Sequence, residues 1–179
     1  MLEQAGLVFE LRSPNFDEGQ AKEAFTGEVE LLASCLAQGK AASVAAGPDE
    51  WVIGSDSIVT VDGVRYSKPR DRDEAAAHLG RFSGRTMLLS SAVALARQGR
   101  IDWVHAETAV LHWRRLSEAF IEAYLDEEWP EVGHCVGVFR MEGRGVTLFD
   151  RVEGSHFTIL GMPLLPLLGA LRERGVMPS

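Results

Sequence analysis

Asp56 and Lys68 are residues whose types and spacing could serve a ligand site. The apolar run at residues 51–53 predicts a short strand that Gly54 ends, so Asp56 should stand just beyond a strand end, where open α/β sheets bind ligands. Asp62-Gly63 favours a tight hairpin turn, and the pairing counted back from it brings Lys68 within about one residue of Asp56. The two residues equally fit a surface hairpin with an incidental ion pair.

Lys40 and Glu18 are two further charged residues with more than one interpretation. Residues 28–42 have helical periodicity with one apolar stripe, and Lys40 continues that stripe one turn beyond Leu36. A lysine at the end of a buried face usually extends its ammonium to water, but it could also reach a phosphate. The acidic pair Asp17-Glu18 fits a helix start, where carboxylates complement the helix dipole.

Glu142 is a candidate in the C-terminal part of the chain. It follows a predicted strand at residues 136–141, and a glycine-containing turn then leads to a second predicted strand at residues 146–152. The Gly-x-Gly of this turn is a weak phosphate signal on its own. His134-Cys135 resembles half of a metal site, but no second pair accompanies it, so we expect a packing role.

Length, charge and apolar runs limit the class of protein. A chain of 179 residues fits one domain or two closely packed lobes. The formal net charge of −8 argues against binding to a nucleic acid polymer, although a few lysines can still create a cleft for a small anion. No apolar run approaches the length of a membrane span, and the start has no signal-peptide pattern, so we expect a cytoplasmic protein. Cys35 and Cys135 are expected to be reduced thiols.

The elements that must position these residues alternate irregularly between strand and helix. A helix is predicted at residues 75–79 behind a capping box, a second after Ser117 and a third after Gly161-Met162-Pro163. Further strands are predicted at residues 7–11, 87–96 and 101–113. We therefore expect an α/β fold with a mixed β-sheet flanked by helices.

Several motifs, in this order along the chain, resemble the Maf (septum formation protein) family. They are Leu-Ala-x-x-Lys-Ala at 36–41, Val-Ile-Gly-Ser-Asp-Ser-Ile-Val at 52–59, Ser-Lys-Pro at 67–69, Ser-Gly-Arg-Thr at 83–86 and Gly-Met-Pro-Leu at 161–164. Together they cover nearly the whole chain, and the set is far more specific than any single motif.

The resemblance implies a fold, an activity and a cofactor. The fold is the mixed-sheet α/β fold shared with inosine triphosphatases, here as a single domain over residues 1–179. The activity is that of a nucleoside triphosphate pyrophosphatase, a hydrolase of nucleotide metabolism that cleaves the α–β phosphate bond to give a monophosphate and pyrophosphate. The implied cofactor is a divalent cation, Mg²⁺ or Mn²⁺. The implied partners are the nucleotide and, in a homodimer, a second copy of the chain.

The same resemblance assigns roles to individual residues. Asp56 matches the proton acceptor that activates water, and Glu18 matches an acidic residue near the metal and the phosphates. Lys40 and Lys68 match lysines that contact phosphate, and Ser57 falls at a substrate-binding position. A triphosphate carries about four negative charges, and attack at phosphorus requires this charge to be neutralised.

Within the family, the C-terminal part resembles the branch that hydrolyses 7-methyl-GTP. His-Cys-Val-Gly at 134–137 and Met-Glu-Gly at 141–143 are similar to the His-Cys-Ala-Gly and Ser-Glu-Gly of that branch. This places Glu142 at the position that distinguishes the substrate base, whereas capping of a turn or pairing with Arg144 is the alternative. Ser57 departs from the branch, which carries Gln after the catalytic Asp.

The start of the chain departs from the family pattern. The family opens with a strand and a Leu-Ala-Ser-x-Ser-x-Arg-Arg loop whose arginines hold phosphates, and Met1 aligns within the helix after that loop. We expect either a start assigned too late or a shortened protein. The alternative function is therefore a catalytically impaired nucleotide-binding protein that acts through partners in cell-division control.

Overall fold

A five-stranded sheet is the main element of the computed structural model, which describes residues 1–178 apart from the side chain of residue 30. The strands are antiparallel and lie in the order β2-β1-β3-β4-β5. They are β1 (Trp51–Val61), β2 (Val64–Tyr66), β3 (Thr86–Arg97), β4 (Arg100–Trp113) and β5 (Phe149–Glu153). The helices are α1 (Glu18–Ala24), α2 (Val29–Ser43), α3 (Arg72–Phe82), α4 (Glu118–Glu128), α5 (His156–Ile159) and α6 (Leu164–Glu173). The predicted α/β class with flanking helices is confirmed.

The described chain divides into two compact units. The first consists of Met1–Ser57, Ser91–Glu107 and the described residues from Gly161 onward, and the second consists of Ile58–Ser90 and Thr108–Leu160. Strands β1, β3 and β4 contribute residues to both units.

In the first unit, α2 packs on β1 through its apolar stripe. Leu32 and Leu36 of this stripe are fully buried, which confirms the helical periodicity read from the sequence. Gly54 faces the helix so closely that a Cβ added there would lie 2.3 Å from the carbonyl oxygen of Ala37. The predicted strand end at Gly54 is therefore wrong. Without a side chain, Gly54 allows α2 to approach closely. Strand β1 therefore continues through Gly54, and Asp56 lies inside the strand.

The second unit has its own hydrophobic core, in which α3 and α4 pack together. Trp113 lies between aromatic neighbours, with ring centroids 5.1 Å from Phe82 and 4.9 Å from Phe149. The helix starts follow the expected chemistry, because Asp71 accepts a hydrogen bond from the backbone N–H of Glu74 at 2.8 Å. Ser117 caps α4 in the same way.

The β1–β2 hairpin confirms part of the predicted pairing. Val61 pairs with Val64, Thr60 with Arg65 and Val59 with Tyr66, as the Asp-Gly turn predicts. Strand β2 ends at Tyr66, so the ladder stops before Lys68.

Two predicted strands are absent from the described structure. Residues 7–11 lack strand pairing, and Val8 and Leu11 are almost fully exposed, because no neighbouring strand accepts them. Residues 136–141 form turns and irregular backbone, because Val138 has φ of +56°, outside the extended region, and its N–H donates to the carbonyl of Cys135. The second of these C-terminal strands forms, but it spans Phe149–Glu153.

Two other expectations concern cysteines and membranes. Cys35 and Cys135 are both free thiols, as predicted. Within residues 1–178, no helix combines the length and the apolar character that crossing a bilayer requires.

Candidate active site

Glu18 is positioned by the start of α1. The side chain of Asp17 accepts a hydrogen bond from the backbone N–H of Gln20 at 2.9 Å and so caps the helix. Glu18 is the first helical residue, which agrees with the interpretation of this acidic pair as helix-start charges. The two interpretations of Glu18 do not conflict, since a residue at a helix start can also serve a site.

Lys40 reaches Glu18 from the last turn of α2. Its side chain is only 19% exposed, since the turns before it are buried against β1. The ammonium Nζ lies 2.9 Å from Oε1 of Glu18 and 3.3 Å from Oδ1 of Asp56. Lys40 therefore bridges two carboxylates, whereas the commoner expectation was an ammonium extended into water.

Asp56 supplies the second carboxylate from inside β1. Its side chain is 15% exposed, and its two oxygens have different surroundings. Oδ1 contacts Lys40, whereas Oδ2 is buried and has no hydrogen-bond partner. A buried polar atom without a partner costs about 1–3 kcal/mol, so a hydrogen-bond donor that reached Oδ2 would remove this cost.

The charges of Glu18 and Lys40 are coupled through their contact. The hydrogen bond from Lys40 is the main cause that lowers the pKa of Glu18; burial opposes it, and Lys22 at 3.2 Å adds to the lowering. Burial by itself lowers the pKa of Lys40, but the contacts with Glu18 and Asp56 outweigh burial and raise it. Both groups are therefore charged at neutral pH.

The carboxylates also fit a divalent cation of the expected kind. Mg²⁺ prefers oxygen ligands and is commonly held by one or two carboxylates that leave other positions to water and substrate phosphates. Glu18 and Asp56 offer carboxylate oxygens of this kind, at 2.9 Å and 3.3 Å from the ammonium of Lys40. Among residues 1–178, no group of three or more His, Cys, Asp and Glu side chains is arranged to hold a metal by itself.

Ser57, a predicted substrate-binding residue, has its hydroxyl engaged inside the protein. Its Oγ lies 2.7 Å from Oγ of Ser91 and 3.4 Å from the carbonyl oxygen of Gly161. Alternation along β1 places it on the face opposite to Asp56.

Lys68 and Glu142 belong to the second unit, and both side chains are exposed. Both influence the thiol of Cys135. Burial is the main cause that raises the pKa of Cys135; Glu142 raises it further and Lys68 lowers it. Arg144, the alternative partner considered for Glu142, forms its ion pair with Glu127. The structure thus brings Glu18, Lys40 and Asp56 together in the first unit, and Lys68 and Glu142 remain predictions.

Sequence reasoning missed two residues that surround Glu18, Lys40 and Asp56. Lys22 pairs with Glu18 across one helical turn, and the Glu-x-x-x-Lys spacing could have revealed it. Ser55, next to Asp56, hydrogen bonds to the backbone of two other segments, which no local pattern predicts.

Known protein sequences match this chain over nearly its whole length. The sequence profile described as Maf-like protein matches residues 1–174. The chain is 42% identical to a protein of Rhizobium meliloti (strain 1021) named 7-methyl-GTP pyrophosphatase, over all of the chain and 92% of that protein. It is 43% identical to a nucleoside triphosphate pyrophosphatase of Granulibacter bethesdensis, over 97% of the chain and 90% of that protein. A 7-methyl-GTP pyrophosphatase of Rhizobium etli is 40% identical over 99% of the chain and 91% of its own length. Since the profile and these relatives extend over nearly the whole sequence, the chain belongs to the Maf-like protein family.

Proposed function

We propose that this protein is a nucleoside triphosphate pyrophosphatase that cleaves the α–β phosphate bond and releases a nucleoside monophosphate and pyrophosphate. The observation that carries the proposal is the triad of Glu18, Lys40 and Asp56, in which an ammonium bridges two carboxylates and one buried carboxylate oxygen has no partner. The names of relatives that are 40–43% identical support the reaction class.

The first requirement of the reaction is to neutralise the phosphate charge. Lys40 is a cation fixed by its largely buried side chain, so it can donate to a phosphate oxygen at little cost in side-chain entropy. Glu18 and Asp56 would hold a divalent cation, which supplies further positive charge to the phosphates when it is bound. Lys68 is proposed as a second lysine that contacts phosphate.

The second requirement is a base for the attacking water. Water attacks a phosphorus atom of the α–β bridge, and a new P–O bond forms while the bridging P–O bond breaks. The proton of the water passes to the carboxylate of Asp56. The bridging oxygen leaves with the electron pair on the phosphorus that is not attacked, as part of pyrophosphate for attack at the α-phosphorus or of the monophosphate for attack at the β-phosphorus. Oδ2 of Asp56 has no competing donor, so it is the oxygen that can accept this proton.

We propose 7-methyl-GTP as the substrate, with Glu142 as the residue that recognises the base. Guanine offers two adjacent donors, N1–H and the exocyclic amine, which one carboxylate can accept together. Methylation at N7 adds positive charge to the ring, and this charge favours a carboxylate further. Glu142 is exposed, and the nearby arginine Arg144 pairs with Glu127, so its carboxylate is accessible to a ligand.

The test is a pyrophosphate-release screen over nucleoside triphosphates, including 7-methyl-GTP, with Mg²⁺ and with Mn²⁺. Asp56→Asn keeps the shape of the side chain but removes the base, so turnover should fall by on the order of a hundredfold or more. Asp49→Asn is the matched control, because Asp49 is an exposed acid of the same unit that pairs with Arg97. Wild-type turnover in Asp56→Asn would refute the assigned base. Nucleotide binding without turnover by the wild type would favour the impaired, nucleotide-binding alternative.

A further inference from the structure

The two faces of β1 around Asp56 have different tasks. Successive side chains of a strand point to opposite faces, so Gly54 and Asp56 share one face, and Ser55 and Ser57 share the other. The first face packs on α2, as the contacts of Gly54 and the ion pair from Asp56 to Lys40 show. The hydroxyls of the two serines are therefore directed away from the carboxylate that they flank.

Ser55 fastens this part of β1 to two other backbone segments. Its Oγ lies 2.8 Å from the carbonyl oxygen of Ala92 in β3 and 2.8 Å from that of Gly161, in the turn before α6. A hydroxyl carries one proton, so these two carbonyls share it. Ser57 is 3.4 Å from the same Gly161 carbonyl, which adds a weak second contact on the other side of Asp56.

Gly161 has a backbone conformation that L-residues rarely adopt. Its φ is +102°, and in this conformation its carbonyl accepts the hydrogen bond from Ser55. Space does not require the glycine, because an added Cβ would meet only Oγ of Ser57, at the ordinary contact distance of 3.5 Å. The residue is needed for its φ angle alone.

A rigid backbone matters at Asp56 because one oxygen of its carboxylate has no hydrogen-bond partner. Oδ2 is buried without a partner, so a shift of β1 that exposed or paired this oxygen would remove the cost of its burial. Lys40, 3.3 Å from Oδ1, restrains only one of the two oxygens. The hydrogen bonds of Ser55 act on the backbone next to Asp56 and oppose such a shift.

We propose that Ser55 is a positioning residue that holds the Asp56 carboxylate in its reactive orientation by fastening β1 to the carbonyl of Gly161. The inference rests on the function proposed above, since it takes Asp56 as the base. Ser55 itself contacts neither the substrate nor the reacting water.

Steady-state kinetics give the first test. Ser55→Ala should lower kcat on the order of tenfold, with KM within about twofold, because misplacing a catalytic group affects the chemical step more than binding. Ser55→Thr keeps the hydroxyl and should restore most of kcat. Ser13→Ala, an exposed serine of the same unit, is the matched control. An unchanged kcat in Ser55→Ala would overturn the proposal.

A second variant series separates positioning from a general structural role. In an Asp56→Asn background, Ser55→Ala should leave the residual rate unchanged, because the base that it positions is already absent. Gly161→Ala should resemble Ser55→Ala, because alanine disfavours the φ of +102° at which the Gly161 carbonyl accepts from Ser55. The double variant should be no slower than the slower single variant, since both changes disturb the same contact. A further loss of rate in the Asp56→Asn background, or additive losses in the double variant, would instead assign Ser55 to structure or binding.

Amide hydrogen exchange tests the restraint from Ser55 without relying on enzymatic turnover. Ser55→Ala should speed exchange in the peptide over residues 54–57 and leave α3 unchanged. If the wild type releases no pyrophosphate from any nucleotide, the proposed function fails by that result alone. Unchanged exchange at residues 54–57 would overturn the restraint from Ser55 whatever the activity is.

Discussion

Replacing Lys40 by Met tests the triad at its centre, because this change keeps the length of the stem and removes the charge. Lys40 lies 2.9 Å from Glu18 and 3.3 Å from Asp56, so the variant leaves two carboxylates close together with no cation between them. A charged hydrogen bond contributes about 1.5–3 kcal/mol when well buried. Glu18 is 39% exposed, so the expected loss of unfolding free energy at pH 7 is smaller, about 1–2 kcal/mol.

The loss of stability should depend on pH with a definite sign. The pKa of Glu18 lies below its ordinary value of 4.5, with Lys40 as the main cause, so this contribution is present above pH 4.5 and disappears as the pH falls through the folded-state value. In Lys40→Met this cause is gone. The free-energy difference between wild type and variant should therefore be full at pH 7 and shrink below pH 4.5.

Urea unfolding of both proteins at pH 7 and at pH 3.5 measures this difference. Lys22→Met is the matched control: it removes the other lysine at Glu18, a pair one helical turn apart, and should cost only about 0.3–0.5 kcal/mol. A Lys40→Met penalty that is the same at both pH values, or no larger than that of Lys22→Met, would refute the electrostatic account of the triad. The kinetic expectation is a loss of kcat/KM of about 10- to 150-fold, the equivalent of one charged hydrogen bond to phosphate.

Two further substitutions test the specificity proposal and the packing of β1. Glu142→Gln should shift substrate selectivity toward pyrimidine triphosphates, with each mispaired donor or acceptor costing roughly 1–3 kcal/mol. A panel of nucleoside triphosphates measures this shift, and an unchanged order of preference among the substrates would exclude Glu142 as the residue that recognises the base. Gly54→Ala places a Cβ 2.3 Å from the carbonyl oxygen of Ala37 and should strongly lower the midpoint of urea unfolding. Gly80→Ala is the control in a helix with open space around the residue, and it should raise the midpoint slightly. Equal midpoints for the two variants would contradict the close approach of α2.

The sequence predicted most reliably where one local pattern determines the structure. The apolar stripe of α2 and the Asp62-Gly63 turn are such patterns, and both are confirmed. Gly54 was wrongly predicted to end a strand, because a glycine can either end a strand or allow a neighbouring element to approach closely. The helix that Gly54 faces lies elsewhere in the sequence, so no local pattern distinguishes these two cases. Val138 misled because a β-branched residue favours strands, yet it has a positive φ.

The site was less accessible to local reasoning than the fold. Periodicity placed Lys40 at the end of a buried face and helix chemistry placed Glu18 at a helix start, but neither pattern shows that both meet Asp56. Only the ordered set of family motifs suggested one site, because it carries information about positions that are distant in sequence. For Lys68 and Glu142, that resemblance is still the basis of the assignment.

The asymmetry of the Asp56 carboxylate fits the proposed role of a base that is both held and reactive. Oδ1 is occupied by Lys40, so this contact fixes the side chain without using the second oxygen. Oδ2 is buried and has no hydrogen-bond partner, so a donor that the proposed reaction brings to it would remove the cost of its burial. A fully hydrogen-bonded carboxylate would be a weaker base, and a fully exposed one would be poorly oriented. The packing of α2 on β1 thus maintains the unfavourable burial of Oδ2. The proposed reaction makes use of this burial, because it leaves Oδ2 free to act as the base.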